Sequence, residues 1–291
     1  MFGFINVNKQ SGVTSHKIIS VLRKITVIKQ IGHAGTLDPL ASGVLPVAVG
    51  KATKLIDYLC EDKSYRVDLI FGKMSDTYDI EGTVEDTCAD KISEDVVCEA
   101  LKSFRGEITQ IPPAFSAVHY NGKRLYELAR SGKIPDDIPS RKVNIYRNEI
   151  VGFDFDKQIL TLDIDCSKGT YIRSIVNDLG NAVGAGAVMS ALVRTKSSGM
   201  KIENSIVLSD DTTIDDLKKV LINPVDLIEL PKININEEQY KKLLNGNRFC
   251  NITKVTGDVL LVKDNNAVAF AVAENEYIQP KKVLLWKSYL F

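Results

Sequence analysis

The chain predicts an α+β fold: a mixed, mainly antiparallel sheet with flanking helices, followed by a small β-rich unit. Three observations predict it. Strand-like and helix-like periods mix without the regular strand–helix–strand rhythm of a doubly wound sheet. Two alternating runs, RKVNIYRNEIVGFDF and ILTLDIDC, flank a turn at Asp156-Lys157 and read as an antiparallel pair. From about Pro231 the texture changes to short strands with little helix.

Each element follows from its residues. FGFINVNK alternates enough for a first strand. TSHKIISVLRKI follows as a helix capped by Thr14 or Ser15, with Ile18, Ile19, Leu22 and Ile25 on one face. After a glycine-rich loop, VLPVAVG reads as a short buried strand, ATKLIDYLC as a helix and SYRVDLIFG as a strand. Residues 75–92 are polar and acidic, which predicts an exposed loop or edge hairpin. Ser93 is placed to cap a helix through Phe104, ended at Gly106. Asn121-Gly122 is a turn signal leading into a short helix, and KIPDDIPS is proline punctuation. SKGTYIRSIVNDLG predicts a helix opened at Gly169-Thr170, and VMSALVRT a strand. A short helix near 239–244, the turn NGN and the run DVLLVKDNNAVAFAVAE make up the last unit. The expected domains are 1–230 and 231–291.

Composition narrows the function classes. With 44% hydrophobic and 25% charged residues, the chain has the balance of a soluble globular protein. Five cysteines (Cys60, Cys88, Cys98, Cys166, Cys250) are scattered without a CxxC pair, which argues against a disulfide framework or zinc site. The three histidines, His16, His33 and His119, are not spaced to share a metal. No secretory leader pattern opens the chain and no apolar run reaches membrane-span length, so the cytoplasm is expected. Net charge is zero, yet the first 56 residues and 123–147 are basic, against an acidic block at 76–99. Local basic faces suit a polyanion even when the total is balanced; charged runs are also ordinary solvated surface.

One stretch stands out: IGHAGTLDPLASGVLPVAVGKATKL, residues 31–55. It carries the sole carboxylate of the first 56 residues, Asp38, among Lys9, Lys17, Arg23, Lys24, Lys29, Lys51 and Lys54. Leu37 and Pro39 shield that carboxylate, and the glycines permit close approach of a ligand or backbone. An Asp before Pro also initiates turns, so an ordinary structural role competes. A shielded carboxylate stays ionised beside a cation, and Arg173 in SKGTYIRS is a candidate that spacing alone does not select. The loop lacks GxxxxGK[ST] and GxGxxG, and no GxSxG elbow exists, so P-loop and serine-hydrolase chemistry fit poorly.

NKQSGVTSH, GHAGTLDPLASGVLPVAVGKATKL, KSYRVDLIFGKMSDTYDIEG, PPAFSAVHYNGKRLYELAR and CSKGTYIRSIVNDLG occur in this order. Together they resemble the bacterial tRNA pseudouridine synthase B family, which isomerises the uridine at position 55 of the transfer RNA T-arm loop. The resemblance covers nearly the whole chain. It implies a catalytic domain of the pseudouridine synthase type, with an RNA-gripping insertion at about 110–148. A PUA-like RNA-binding domain is implied from about 231. It also implies a reaction without cofactor or metal, with the T-arm stem-loop as partner; no oligomerising stripe stands out in the sequence, so a monomer is expected. By the same resemblance Asp38 is the nucleophile, Arg173 pairs with it, and Tyr65 stacks on the target base and takes the C5 proton. His33 fills the space left by the flipped base, Tyr171 and Leu192 line its pocket, and Lys9 lies near the floor. Lys123, Arg124 and Arg130 are suited to phosphate contacts. Without the resemblance, Tyr65, Tyr171 and Leu192 would read as core and His33 as surface.

Three positions depart from the family pattern: Gln10 stands for a proline, Phe115 for a tyrosine and His119 for a lysine. Two rival readings remain. One is a non-catalytic RNA-folding protein that uses the same groove. The other is a member of a guide-RNA assembly, which the bacterial-type insertion disfavours.

Overall fold

The structure is a computed structural model that describes residues 1–87 and 90–284. Contacts divide the chain into two compact units. One comprises Met1–Pro39, Gly43–Cys60 and the chain from Ser197 onward; the other comprises Leu40–Ser42 and Glu61–Lys196.

The first unit opens with β1 (Gly3–Lys9), α1 (Ser15–Thr26), β2 (Ile31–His33) and β3 (Ser42–Val49). The strand β3 lies between β1 and β2, both antiparallel to it. Thr14 caps α1, its side chain accepting from Lys17 N, and Ile18, Ile19 and Leu22 bury the predicted face. ATKLIDYLC forms a 3-10 helix, Gly50–Tyr58, where the periodicity indicated only a helix. Phe4, Leu45 and Leu55 are fully buried, so truncating one to Ala would cost about 2–5 kcal/mol.

In the second unit β4 (Lys63–Phe71) is followed by the hairpin β5 (Lys73–Ser75) and β6 (Val84–Asp86). Then come α2 (Glu94–Leu101), β7 (Gly106–Gln110), the two-residue strands β8 (His119–Tyr120) and β9 (Lys123–Arg124), and α3 (Leu125–Arg130). The unit closes with β10 (Arg141–Asp154), β11 (Ile159–Cys166), α4 (Ile172–Ala182) and β12 (Ala187–Ser197). Sheet order is β12-β4-β11-β10-β7, with β4, β11, β10 and β7 antiparallel in turn. Burial alternates along β11 and along β4 from Tyr65 onward, so each has one face toward the core. Asn121 and Gly122 have φ of 48° and 81°, the left-handed pair that the β8–β9 hairpin requires.

The C-terminal part of the first unit is a five-stranded sheet running from Lys232–Asn234 to Tyr277–Val283. One core joins Leu260, Val262 and Phe270 to Phe4, Val44 and Leu55; another packs Val259, Leu261 and Val268 with Tyr240 and Leu243. Burial on both faces explains why the strand Gly257–Lys263 reads as the unbroken apolar run VLLV rather than as alternation. Among the described residues no helix is long and apolar enough to cross a membrane, and no acidic, His or Cys cluster is arranged to hold a metal ion.

Candidate active site

Asp38 lies on a loop that is clamped on both sides. Leu37 is buried, and the buried hydroxyl of Ser15 satisfies both of its backbone groups: Oγ accepts from Leu37 N at 2.9 Å and donates to Leu37 O at 3.0 Å. On the other side, Pro39 O accepts from Gly12 N at 2.8 Å and from Lys9 Nζ at 3.3 Å. Lys9 is fully buried and also donates to Val13 O at 2.6 Å and Gln10 O at 3.1 Å. It thus knits the turn after β1 to the Asp38 loop. Gly35 and Gly43 bracket the loop with φ of 91° and 99°, where a side chain would be strained. The half-buried Asp38 is thereby held between two fixed neighbours. His33 ends β2, opposite Val47, also half-buried.

The second unit carries the other predicted residues. Tyr65 is buried on β4, opposite Ile164 of β11. Leu192 is buried on β12, and Arg194, two residues further on the same face, is 1% exposed. Helix α4 supplies Arg173. It packs against β4, and its Gly180 lies so near the start of β12 that a Cβ there would meet Ala187 N at 2.2 Å. The helix starts at Ile172 with Tyr171 as N-cap, two residues beyond the predicted Gly169-Thr170 opening. The reason is Gln110: its carboxamide accepts from Tyr171 N at 2.8 Å and donates to Tyr171 O at 2.9 Å.

Arg173 is 6% exposed. Its Nη1 donates to Thr77 O at 3.0 Å, its Nη2 donates to Phe115 O at 3.0 Å, and Nη1 lies 3.5 Å from Asp79 Oδ2. Asp79 was not singled out in the sequence, because it lies in the acidic run expected to be an exposed loop or hairpin. The edge hairpin exists as β5–β6, but Asp79 in its connection is buried. Its Oδ1 accepts from Thr77 Oγ1 at 2.6 Å and Glu81 N at 3.0 Å, which leaves Oδ2 turned to the guanidinium. Tyr78, at φ 64°, makes the left-handed step that turns Asp79 inward. Bonds between Tyr78 and Met189 and between Met189 and Ile80 hold it there.

Cations crowd the strand that carries Tyr65. Burial, reinforced by Arg194, lowers the Lys63 ammonium below its ordinary range. Cys166, opposite Lys63, is pushed up to about 11 by burial, which makes it an inert core thiol at neutral pH. Cys88 lies outside the described residues.

In the insertion, Lys123 and Arg124 are exposed on β9, and Arg130 is exposed at the end of α3. Arg124 and Arg130 lie 6.0 and 5.5 Å from the ring of Tyr126, a residue the sequence did not mark, which gathers both guanidinia around it. Two departures offer backbone carbonyls, Phe115 to Arg173 and Gln10 to Lys9, an acceptor that tyrosine or proline would equally supply; the Gln10 side chain adds bonds from Nε2 to Asn8 O and Oδ1, both at 3.5 Å. His119 is exposed opposite Arg124.

Comparison with known proteins decides the family. Residues 23–172 match the model of the TruB family pseudouridylate synthase N-terminal domain. The chain belongs to the TruB family of pseudouridylate synthases. TruB-family relatives extend the match over the full length. The tRNA pseudouridine synthase B of Lactobacillus johnsonii is 40% identical, with 97% of this chain and 98% of that one covered. The Synechocystis enzyme of the same name is also 40% identical, with 98% and 100% covered. Among solved structures, the chain resembles one in a crystal structure of a Cbf5-Nop10-Gar1 complex, with a TM-score of 0.74 and 26% identity over 99% of this chain and 86% of that one. It also resembles a chain in an H/ACA RNP bound to a substrate RNA containing 2′-deoxyuridine, with a TM-score of 0.72 and 25% identity, covering 99% and 86%.

Proposed function

We propose that this TruB-family chain converts uridine 55 in the T-arm loop of transfer RNA to pseudouridine. Full-length similarity at 40% identity to proteins named tRNA pseudouridine synthase B carries the reading. That similarity exceeds the 25–26% to the chains from the H/ACA RNP and the Cbf5-Nop10-Gar1 complex, which favours a stand-alone tRNA enzyme over a guide-RNA component.

The reaction breaks the C1′–N1 bond, rotates the freed uracil and joins C1′ to C5. N1 ends with a hydrogen and C5 loses one, so atoms and electrons balance without an external oxidant or reductant. In this reading Asp38 is the nucleophile, and the clamps on Leu37 and Pro39 hold it in place without an ordering cost at each turnover. Arg173 is its cationic partner, Tyr65 stacks on the uracil and takes the C5 proton, and Tyr171 and Leu192 form apolar walls that exclude water. His33 occupies the stack position of the flipped base, whose extrusion costs a few kcal/mol. Lys123, Arg124 and Arg130 hold phosphates, positioning the stem without reading sequence. The five-stranded C-terminal sheet serves as a PUA-like RNA-binding module, and the protein acts as a cytoplasmic monomer.

Mapping of carbodiimide-reactive sites on unmodified transfer RNA after incubation tests this directly. One new site at position 55 is the expected result; modification elsewhere, or none, would overturn the assignment. A purely RNA-folding protein would leave the map unchanged.

A further inference from the structure

We propose that Gln110 is a positioning residue for the isomerisation, fixing the N-terminus of α4 and with it Tyr171 and Arg173. The inference rests on the pseudouridine synthase reading of those two residues.

Gln110 is the last residue of the edge strand β7 and is 1% exposed. Its side chain does what a neighbouring strand would do. The carboxamide oxygen accepts from Tyr171 N and the carboxamide nitrogen donates to Tyr171 O, closing a ring of two bonds with the backbone of one residue. The orientation is unambiguous, since an N–H can only donate and a carbonyl only accept. Tyr171 is the N-cap of α4 but makes no side-chain cap bond, so its amide is anchored from outside the helix. Tyr171 O also accepts from Ile175 N, so one carbonyl joins the first helical turn to Gln110.

The chain beyond Gln110 continues the attachment. Ser174 Oγ donates to Ile111 O at 2.8 Å, and Arg173 Nη2 donates to Phe115 O at 3.0 Å. Opposite Gln110 across the strand pair stands Arg141, whose guanidinium lies 5.3 Å from the Tyr171 ring. Backbone and ring of Tyr171 are therefore both set from the β7–β10 pair, at the point where the insertion leaves the sheet. A shift of the Tyr171 peptide carries Arg173, two residues on, away from Thr77 O and Asp79. Displacements of about 1 Å at such a group cost on the order of a hundredfold in rate. Only a carboxamide provides donor and acceptor together at this spacing, and Gln has the reach that Asn lacks by one methylene.

The test uses full-length Gln110→Met, which keeps the volume and loses both bonds, and Gln110→Glu, which sets a carboxylate oxygen against Tyr171 O. Single-turnover tritium release from a T-arm stem-loop labelled at C5 of the target uridine is compared with RNA affinity and melting midpoint. Both variants are expected to lose at least about tenfold in rate at saturating RNA while Kd stays within about threefold and both remain folded. A Gln110→Met rate within twofold of wild type would overturn the proposal. So would a loss carried wholly in Kd, or unfolding of both variants, which would make Gln110 a packing residue only. Absence of release by the wild-type chain would instead overturn the functional reading itself.

Discussion

Arg173 and Asp79 form a buried pair, Nη1 to Oδ2 at 3.5 Å, with the two side chains 7% and 5% exposed. The guanidinium also reaches two backbone carbonyls, Thr77 O and Phe115 O, on separate segments. That requires a planar fork, which an ammonium does not provide. Arg173→Lys is expected to lose charge-assisted bonds worth about 1.5–3 kcal/mol each. The rate should fall about 100-fold or more, or roughly 2.7 kcal/mol of barrier. Tritium release at saturating RNA measures this; a wild-type rate would remove Arg173 from the mechanism.

Asp79 is the counterpart test. Asp79→Ala takes one carboxylate from the buried guanidinium of Arg173 and frees Thr77 Oγ1 and Glu81 N, so a stability loss of about 1–3 kcal/mol for each group that loses its bond is expected. Asp79→Asn keeps an acceptor for Thr77 and Glu81 but removes the charge, and should cost less stability than Ala while still slowing the reaction. Urea unfolding and release rates for the two variants separate the effects. Equal stability of all three proteins would contradict the pairing.

The Asp38 loop is expected to depend on residues outside it. Lys9→Met takes the shared donor from Val13 O, Gln10 O and Pro39 O, of which Pro39 O keeps Gly12 N, and Ser15→Ala leaves Leu37 N and O without their hydroxyl. Each unsatisfied buried group costs about 1–3 kcal/mol. Both variants should melt earlier and turn over more slowly, and amide exchange at Gly12 should rise in Lys9→Met. Unchanged exchange there would show that the lysine does not hold the loop.

Asp178 on α4 gives a pH-dependent test. Burial raises its carboxyl above the ordinary range, against a smaller opposing effect from Asn177. The folded state thus holds this proton more tightly than the unfolded chain, and stability from this group falls as pH rises from the ordinary carboxylate value through the raised one. Asp178→Asn should raise the melting midpoint at neutral pH, with the gain vanishing below the ordinary carboxylate value. A gain that persists in acid would place its cause outside ionisation.

Local signals carried much of this structure. Alternation placed β4, β10 and β11; Thr14, Ser93 and Asn121-Gly122 marked real boundaries, because caps and turns depend on neighbours in sequence. The candidate residues were named through motifs, and the contacts that fix them in the fold were not. Asp79 hides in an acidic run whose polarity argued for exposure, yet a single left-handed residue turns it inward. Lys9 reads as one cation of a basic stretch and, by the resemblance, as a lysine near the pocket floor, and only the folded turn shows its ammonium bonded to three carbonyls. Gln110 and Tyr171 are 61 residues apart in the chain, and that pairing displaced the expected start of α4. Partners at such separations leave no periodic trace.

The most direct measurement concerns Asp38. Asp38→Asn preserves the size of the side chain and the clamps at Leu37 and Pro39 while removing the charge. C5 tritium release from a labelled T-arm transcript should fall below detection in this variant, with RNA affinity within about threefold of wild type. Release at the wild-type rate would contradict the account.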